Sequence, residues 1–209
     1  MHNPFESFAQ RYAPPGISTK DFSHWKPFRG PIPMEPVAFD YQPEPPERGH
    51  TDRILMVDLS EMRMGVRTVT PEERELYLGG RGYCLWQVWD GTEPGTRWDD
   101  PSNVLVMAGG LLGGEPGWPG SGKFIVGTIS PLTGSFIDSN VGGHFAPLMK
   151  FSGFDAVAVT GRAERPVVVV VDGDEGRVTI APWEGSDGAI MMCEELFDTL
   201  EEGGQRTNL

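Results

Sequence analysis

The stretch Arg53-Ile-Leu-Met-Val-Asp-Leu59 marks the start of the folded part of this chain. It is a short apolar run of the length of a β-strand, and a turn separates it from a second strand predicted near Gly65–Val69. Two strands joined by a short turn predict a β-hairpin. A hairpin therefore opens the fold.

A helix is predicted directly after this hairpin. Thr70-Pro-Glu-Glu73 combines an N-cap threonine, a proline at the first helical position and a glutamate at the third, which is a capping-box pattern. Gly79-Gly80 predicts the end of this helix, because glycine readily adopts the left-handed conformation that follows many helices. A second helix is predicted over Tyr83–Trp89.

The remaining elements make strands the majority. Further strands are predicted over Val104–Ala108, Phe124–Ser130, Ser135–Ser139, Ala156–Thr160, Val167–Asp172 and Arg177–Ala181, and helices over His144–Phe151 and Ile190–Leu200. Val167–Asp172 is so apolar that we expect both of its faces to be covered. The predicted fold class is α+β, and the predicted domain spans residues 51–209.

Residues 1–50 are predicted to form an extended arm. Its prolines, which interrupt helices and strand ladders, are Pro4, Pro14, Pro15, Pro27, Pro31, Pro33, Pro36, Pro43, Pro45 and Pro46. Its aromatic residues, which are costly to leave in water, are Phe5, Phe8, Phe22, Trp25, Phe28, Phe39 and Tyr41. We expect the arm to wrap over a partner surface or over the domain itself.

Charge and cysteine content narrow the function classes. The formal net charge of −13 argues against a nucleic-acid partner, because binding to phosphates requires a dense basic surface. The two cysteines, Cys84 and Cys193, form no C-x-x-C pair, and both are expected to be buried thiols. No apolar run is long enough for a membrane span. We expect a cytoplasmic protein.

One stretch collects residues suited to an anionic, polar ligand. Lys123 offers a positive charge, Asn140 a donor and an acceptor, and Gly142 and Gly143 offer backbone N–H groups at a predicted helix start. A cofactor that carries phosphate fits this description. The residues alone leave open the alternative that the glycines only serve tight turns and that Lys123 is a solvated surface charge. The common nucleotide-binding motifs are absent, since Gly122-Lys123 is followed by Phe124 rather than by serine or threonine.

Four short motifs occur in one fixed order along the chain. They are Gly79-Gly-Arg-Gly82, Ser130-Pro-Leu-Thr-Gly134, Asp138-Ser-Asn-Val-Gly-Gly143 and Lys150-Phe-Ser-Gly-Phe-Asp-Ala156. Together they resemble the aldehyde:ferredoxin oxidoreductase family of tungsten and molybdenum enzymes. The resemblance runs from about Arg53 to Ala181.

The resemblance implies a fold and a set of cofactor contacts. In that family this region is an N-terminal, sheet-rich domain that forms the base on which a bis-pterin tungsten cofactor lies. By motif, Lys123 stands where an arginine commonly reaches the pterin, and Asn140 and Gly142 match residues that contact it. The predicted cofactor-binding residues are Lys123, Asn140, Gly142, Gly143 and His144, with no catalytic residue and no metal ligand.

The chain lacks the four-cysteine set that the family uses to hold an iron–sulfur cluster. A split enzyme, a truncation and a diverged assembly protein each account for this, and we favour the split enzyme. In that interpretation the chain is a small, non-catalytic subunit that shares a tungsten or molybdenum bis-pterin with a large subunit. The large subunit carries the iron–sulfur cluster and the substrate pocket and exchanges electrons with a ferredoxin-like carrier. The alternative is a scaffold or regulatory module that kept the fold and lost the cofactor.

Overall fold

The structure is a computed structural model that describes residues 36–185 and 188–200. Its strands are β1 Val37–Asp40, β2 Arg53–Asp58, β3 Arg63–Thr68, β4 Leu105–Gly109, β5 Phe124–Ile129, β6 Phe136–Val141, β7 Ala156–Thr160, β8 Val167–Asp172 and β9 Arg177–Pro182. Its helices are α1 Pro71–Tyr77, α2 Arg81–Gly91, α3 Phe145–Phe151 and α4 Ala189–Leu200. The predicted α+β class is confirmed. None of the helices in the described ranges is long and apolar enough to cross a membrane.

The strands form two sheets. A six-stranded sheet has the order β3-β2-β7-β4-β5-β6, and a three-stranded sheet has the order β1-β9-β8. All neighbouring strands are antiparallel except β2 and β7, which are parallel. The predicted opening hairpin is β2–β3, with Arg53 opposite Thr68 and Asp58 opposite Arg63.

β2 lies between two hydrophobic cores, which explains its continuous apolar run. Ile54 belongs to a core formed with α2, and Leu55 and Val57 belong to a second core shared with the three-stranded sheet. Successive side chains of a strand point to opposite faces, so one strand can serve both cores only if every position is apolar. The molecule is therefore layered in the order helix, six-stranded sheet, three-stranded sheet.

The capping box of α1 forms as predicted. The Thr70 hydroxyl accepts a hydrogen bond from the Glu73 backbone N–H at 3.2 Å, and the Glu73 carboxylate accepts one from the Thr70 N–H at 2.8 Å. Leu78 then turns the chain in the left-handed conformation, with φ of 63°. α2 starts three residues later and lies close to β5, where a Cβ added to Gly127 would be 2.7 Å from the Cβ of Cys84.

The described part of the predicted arm lies on the domain itself, one of the two surfaces expected for it. Val37–Asp40 pair with β9, so this stretch is a strand of the small sheet. Tyr41 packs on Phe154 at a ring distance of 4.8 Å and donates a hydrogen bond to the Ser152 carbonyl. The arm's other aromatic residues, apart from Phe39, lie at positions 1–35, outside the described residues.

Two expectations about burial were wrong. β8 was expected to be covered on both faces, but each of its residues is only half-buried, because β8 is an edge strand that pairs with β9 alone among the described strands. Cys84 is buried as expected, whereas Cys193 is half-buried on α4. Apolar composition alone did not distinguish an edge strand from a central one.

A buried ion pair joins the entry of the chain to the middle of the fold. Lys150 and Asp155 are 1% exposed each, and the Lys150 ammonium lies 2.5 Å from the Asp155 carboxylate. The carboxylate also accepts hydrogen bonds from the backbone N–H groups of Thr51 and Asp52, and the ammonium donates to the Gly49 carbonyl at 2.8 Å. These contacts hold residues 49–52 in place directly before β2.

Substitution of Lys150 by methionine should destabilise the protein by about 3 kcal/mol or more, because it leaves a buried carboxylate without its countercharge. Urea unfolding of the full chain measures this change. The matched control is Arg177→Met at the exposed Arg177–Asp40 pair, whose side chains are 56% and 71% exposed. The control should leave the midpoint nearly unchanged, since exposed pairs contribute little. Equal effects of the two substitutions would contradict the structural role given to Lys150.

Candidate cofactor site

The predicted site residues gather where the β5–β6 hairpin meets α3. Phe124 lies opposite Val141 and Ile125 opposite Asn140 in the hairpin register. Lys123 precedes β5 and lies beside Gly142, where an added Cβ would be 3.4 Å from the Lys123 ammonium nitrogen. Lys123 and residues 140, 142, 143 and 144 are all exposed. The structure therefore brings the five residues together on one surface.

Gly122 permits a close approach of two loops at this surface. A Cβ added to Gly122 would be 2.1 Å from the Gly143 carbonyl oxygen, far inside van der Waals contact. Only glycine fits this position without moving the backbone of Gly143. The glycine-rich loop from Gly109 to Gly122 thus sets the position of Gly142 and Gly143.

Asn140 has both its side chain and its backbone groups available. Ser130 donates its N–H to the Ser135 carbonyl at 2.8 Å, and hydrogen-bonded pairs alternate along an antiparallel ladder. Counting along the register from this pair makes Ile125 and Asn140 a pair that is not hydrogen-bonded. The N–H and C=O of Asn140 therefore point away from β5, to the free edge of β6. One residue offers a side-chain amide and two backbone groups at the same place.

Aromatic packing holds the helix that follows these residues. The ring of Phe145, the first residue of α3, lies 4.7 Å from the ring of Phe124 on β5. Ala146 in the same turn is fully buried. His144 is the N-cap residue of α3, where its side chain makes no capping hydrogen bond and remains exposed.

A second cation lies near Asn140. Arg81, the first residue of α2, donates to the Asp138 carboxylate at 2.8 Å. Asp138 and Asn140 are two residues apart on β6 and so share a face of the strand. The Arg81 side chain is 60% exposed. Arg81 and Lys123 therefore place positive charge on two sides of Asn140.

Cys84 lies under this surface but is chemically quiet. Its sulfur is 3.7 Å from the Val106 carbonyl oxygen and 3.6 Å from that of Ile125, both in hydrogen-bonding geometry. Burial, helped by the negative charge of Asp138, raises the pKa of the Cys84 thiol to about 12. The thiolate is the form that binds metals and attacks electrophiles, so Cys84 is suited to neither role at neutral pH.

The ion-pair network at residues 49–52 also brings possible metal ligands together. Ligand atoms of His50, Asp52 and Asp155 lie within 4.8 Å of one another. Two cations already neutralise the carboxylates, because Lys150 pairs with Asp155 and Arg74 pairs with Asp52 at 2.7 Å. Burial lowers the pKa of His50 from its ordinary value. The paired carboxylates leave no net negative charge to attract a further cation, so we interpret this cluster as a structural ion-pair network.

The surface residues could be read from the sequence, whereas the buried groups that hold them could not. Lys150 and Asp155 were part of a motif, but the pairing of the two charges was not inferred. The available signal was a charged residue at each end of a short, otherwise uncharged segment that contains a glycine. Such residues are rarely buried unless they pair with each other.

Comparison with known proteins places this geometry in a family. The family described as aldehyde ferredoxin oxidoreductase, N-terminal domain, matches residues 54–207. This chain belongs to the aldehyde ferredoxin oxidoreductase family. The resemblance inferred from the four ordered motifs is thereby confirmed, together with the sheet-rich fold that it implied.

The family's relatives are longer proteins. The chain is 34% identical over 154 residues to the tungsten-containing aldehyde ferredoxin oxidoreductase of Pyrococcus horikoshii, which covers 72% of this chain and 25% of that protein. It is 23% identical over 159 residues to the aliphatic sulfonate oxidoreductase, WOR-like subunit, of Pyrococcus furiosus, with 73% of this chain and 24% of that protein covered. The chain thus spans about one quarter of the length of these curated relatives.

A solved structure shares the fold. It is a chain from the active site complex BamBC of benzoyl coenzyme A reductase in complex with 1,5-dienoyl-CoA, with a TM-score of 0.69 and 32% sequence identity. The match covers 75% of this chain and 24% of that chain.

Substitution of Gly122 by alanine should distort the candidate site, because the new methyl group would overlap the Gly143 carbonyl oxygen. We expect a loss of about 1–3 kcal/mol in unfolding free energy and faster amide exchange at residues 142–144. Gly110→Ala in the same loop is the matched control, since nothing lies within 4 Å of its added Cβ. Urea unfolding and hydrogen exchange measure both. A Gly122 variant that behaves like the Gly110 variant would refute the close approach.

Proposed function

We propose that this chain is a small, non-catalytic subunit that covers one face of a tungsten or molybdenum bis-pterin cofactor in a larger oxidoreductase. The observation that supports this most directly is the exposed group of Lys123, Asn140, Gly142 and Gly143 at one corner of the sheet. Relatives of the chain are named as tungsten-containing enzymes. A surface with free polar groups in a domain of that family is best explained as a cofactor cradle.

The shape of this surface fits a flat, anionic group. Gly142 and Gly143 present backbone without side chains, so a ring system can lie against them. Asn140 can donate and accept hydrogen bonds through its amide and through its free backbone groups. Lys123 supplies a positive charge toward the anionic parts of such a cofactor. Lysine lacks the planar fork of arginine, so this contact is a point-charge interaction rather than a two-bond one.

The role of this chain would be to hold and orient the cofactor. When bound, the metallopterin would supply two-electron oxidation or reduction of a carbonyl-type substrate such as an aldehyde. His144, exposed next to Gly143, would line the edge of the cradle. Asp138 would keep Arg81 directed along the same strand through their 2.8 Å hydrogen bond.

The partner chain would carry the redox relay. This chain has two cysteines, of which Cys84 is buried with a pKa near 12, and iron–sulfur clusters are held mainly by thiolates. We assign the iron–sulfur cluster and the substrate pocket to a large subunit that has the rest of the family fold. A ferredoxin-like carrier in the cytoplasm would exchange electrons with that cluster. The aromatic residues of the arm would help to hold the two chains together.

A scaffold or regulatory module remains the second candidate. Lys123 favours the scaffold, because the family commonly has an arginine at that position. A domain that no longer binds the cofactor does not need the planar guanidinium of arginine. The two candidates differ in one measurable respect. The scaffold assembles with its partner without influencing the cofactor.

Substitution of Asn140 by alanine should lower the tungsten or molybdenum and pterin content of the purified native complex by about tenfold, because it removes the side-chain donor and acceptor from the cradle. Metal analysis and pterin fluorescence of the complex measure this. Ser139→Ala is the matched control, since Ser139 is exposed on the other face of the same strand. A scaffold would retain full cofactor in both variants. A native complex free of tungsten, molybdenum and pterin would refute the cradle.

Substitution of Lys123 by arginine should strengthen cofactor retention, because the guanidinium can donate two hydrogen bonds to one anionic group. Lys123→Met should weaken retention and make it less dependent on salt, since the charge is lost. The measurement is the metal content of the complex after dialysis at low and high salt. Equal retention by the wild type and both variants would show that Lys123 does not face the cofactor.

A further inference from the structure

β8 is an edge strand made of valines. Its sequence is Val-Val-Val-Val-Val-Asp over Val167–Asp172, and it pairs with β9 as its only neighbour within residues 36–185 and 188–200. An edge strand presents a row of backbone donors and acceptors to its surroundings. Within the described residues, no strand pairs with these outward backbone groups.

The ladder with β9 identifies the free backbone groups. Trp183 donates its N–H to the Pro166 carbonyl at 2.9 Å, and the register places Val167 opposite Pro182. Hydrogen-bonded pairs alternate along an antiparallel ladder. Val167 and Pro182 are therefore a pair without hydrogen bonds, which suits proline because it has no backbone N–H. It follows that Val168 and Val170 bond to β9, whereas Val167, Val169 and Val171 direct their N–H and C=O groups outward.

The opposite side of β9 supports the same assignment. Tyr41 donates its N–H to the Gly176 carbonyl at 2.7 Å. Counting along the register from this pair shows that Val178 and Ile180 are hydrogen-bonded to β1. A central strand uses alternate residues for its two neighbours. β9 thus uses the alternate residues for its hydrogen bonds to β8, which agrees with the register counted from Trp183 and Pro166.

β8 lacks the features that protect other edges of this molecule. The free edge strand β3 carries Arg63 and Arg67, and charged side chains of this kind discourage pairing with another strand. β6, at the other end of the large sheet, carries Asp138. The first five residues of β8 contain neither a charge nor a proline. A stretch with this composition and a free edge has a strong tendency to pair.

The side chains of β8 add an apolar surface to this edge. Val167, Val169 and Val171 are partly buried against the core between the two sheets. Val168 and Val170 therefore lie on the outer face, opposite Ala181 and Thr179 of β9. All five valines are half-buried, so each has apolar surface left to cover. A strand added at this edge would satisfy the outward backbone groups and bury that surface at once.

We propose that the partner chain adds an extended, apolar strand to the free edge of β8. This proposal rests on the proposed function, because it uses the same large subunit. Recognition would come from backbone hydrogen bonds to Val167, Val169 and Val171, with small or branched apolar side chains packing beside Val168 and Val170. The small sheet then has four strands, and the interface is continuous with the hydrophobic core.

The partner chain suits this edge better than a second copy of this chain. Each copy carries a formal net charge of −13, so pairing two copies brings like charges together. The curated relatives contain about four times the length that they share with this domain, since the match covers 25% of the Pyrococcus horikoshii protein. The large subunit of the proposed split enzyme would contain that additional length and so has segments available for the edge.

Hydrogen exchange of the native complex and of the purified full-length chain tests the proposal. The amides of Val167, Val169 and Val171 should exchange about a hundredfold more slowly in the complex than in the separate chain. The outward amides of Met64, Val66 and Thr68 on β3 serve as an internal control and should be unchanged. Equal exchange of the β8 amides in both samples would overturn the proposal. Protection already present in the separate chain would also overturn it, with sedimentation showing whether a second copy or the chain's own residues cover the edge.

A proline substitution at the same edge provides a second measurement. Val169→Pro removes an outward N–H and leaves the hydrogen bonds to β9 intact, and proline is tolerated at such edge positions. It should weaken binding of the large subunit at least about tenfold. Val66→Pro is the matched control, because Val66 also has an outward N–H on an edge strand and packs against the same core. Unfolding curves of both variants identify any general loss of stability.

The outcomes separate this proposal from the proposed function. If the complex forms with its metallopterin and Val169→Pro binds the large subunit as tightly as the wild type, the strand addition is wrong and the cradle stands. If the Val169 variant alone loses the large subunit while both variants melt like the wild type, the strand addition is supported. If the native chain has no large subunit and no metallopterin, the proposed function fails first, and this proposal fails with it.

Discussion

Lys150 and Asp155 form a buried ion pair that ties three parts of the chain together. Two charges out of water are tolerated only when they are paired and when their remaining hydrogen-bonding capacity is used. Here the carboxylate takes the N–H groups of residues 51 and 52, and the ammonium takes the carbonyl of residue 49. The pair thereby joins α3 and the start of β7 to the start of β2, since Lys150 and Gly49 are 101 positions apart in the sequence. The pair aligns β2 and β7, and these two strands lie between the two cores.

The candidate cofactor surface is a consequence of this alignment. α3 packs through Phe145 on β5, and the loop before β5 contacts Gly143, two residues before α3, through Gly122. The surface residues themselves are exposed and make few contacts, so their positions are set by the buried groups beneath them. This arrangement gives a polar surface that is rigid without being occupied by large side chains. Rigid placement of polar groups is what orientation of a cofactor requires.

The edges of the sheets divide the surface into regions of different character. β3 is protected by arginines, β6 presents Asn140 beside an ion pair, and β8 presents valines with free backbone groups. The uses that we propose for the three edges therefore differ, with solvation at β3, cofactor binding at β6 and addition of a partner strand at β8. The side chains of each strand decide between these uses, because the backbone groups at the three edges are the same.

Local structure and family membership could both be read from the sequence. Capping by Thr70 and Glu73, the turns at glycine pairs and the alternation of apolar residues depend on neighbours a few positions away, and they predicted most elements to within two residues. The order of four short motifs identified the family. The clustering of Asn140, Gly142 and Gly143 was also readable, since these residues are adjacent in the sequence.

The contacts that support these elements became visible only in the folded structure. The place of β8 at an edge, the pairing of Lys150 with Asp155 around the backbone of residues 49–52, and the contact of Gly122 with Gly143 all depend on distances across the fold. Hydrophobicity reports how apolar a strand is but not how many neighbours it has, which is why five consecutive valines predicted a covered strand. Strand order is a property of the whole sheet, and among the described strands it leaves β8 with one unpaired edge.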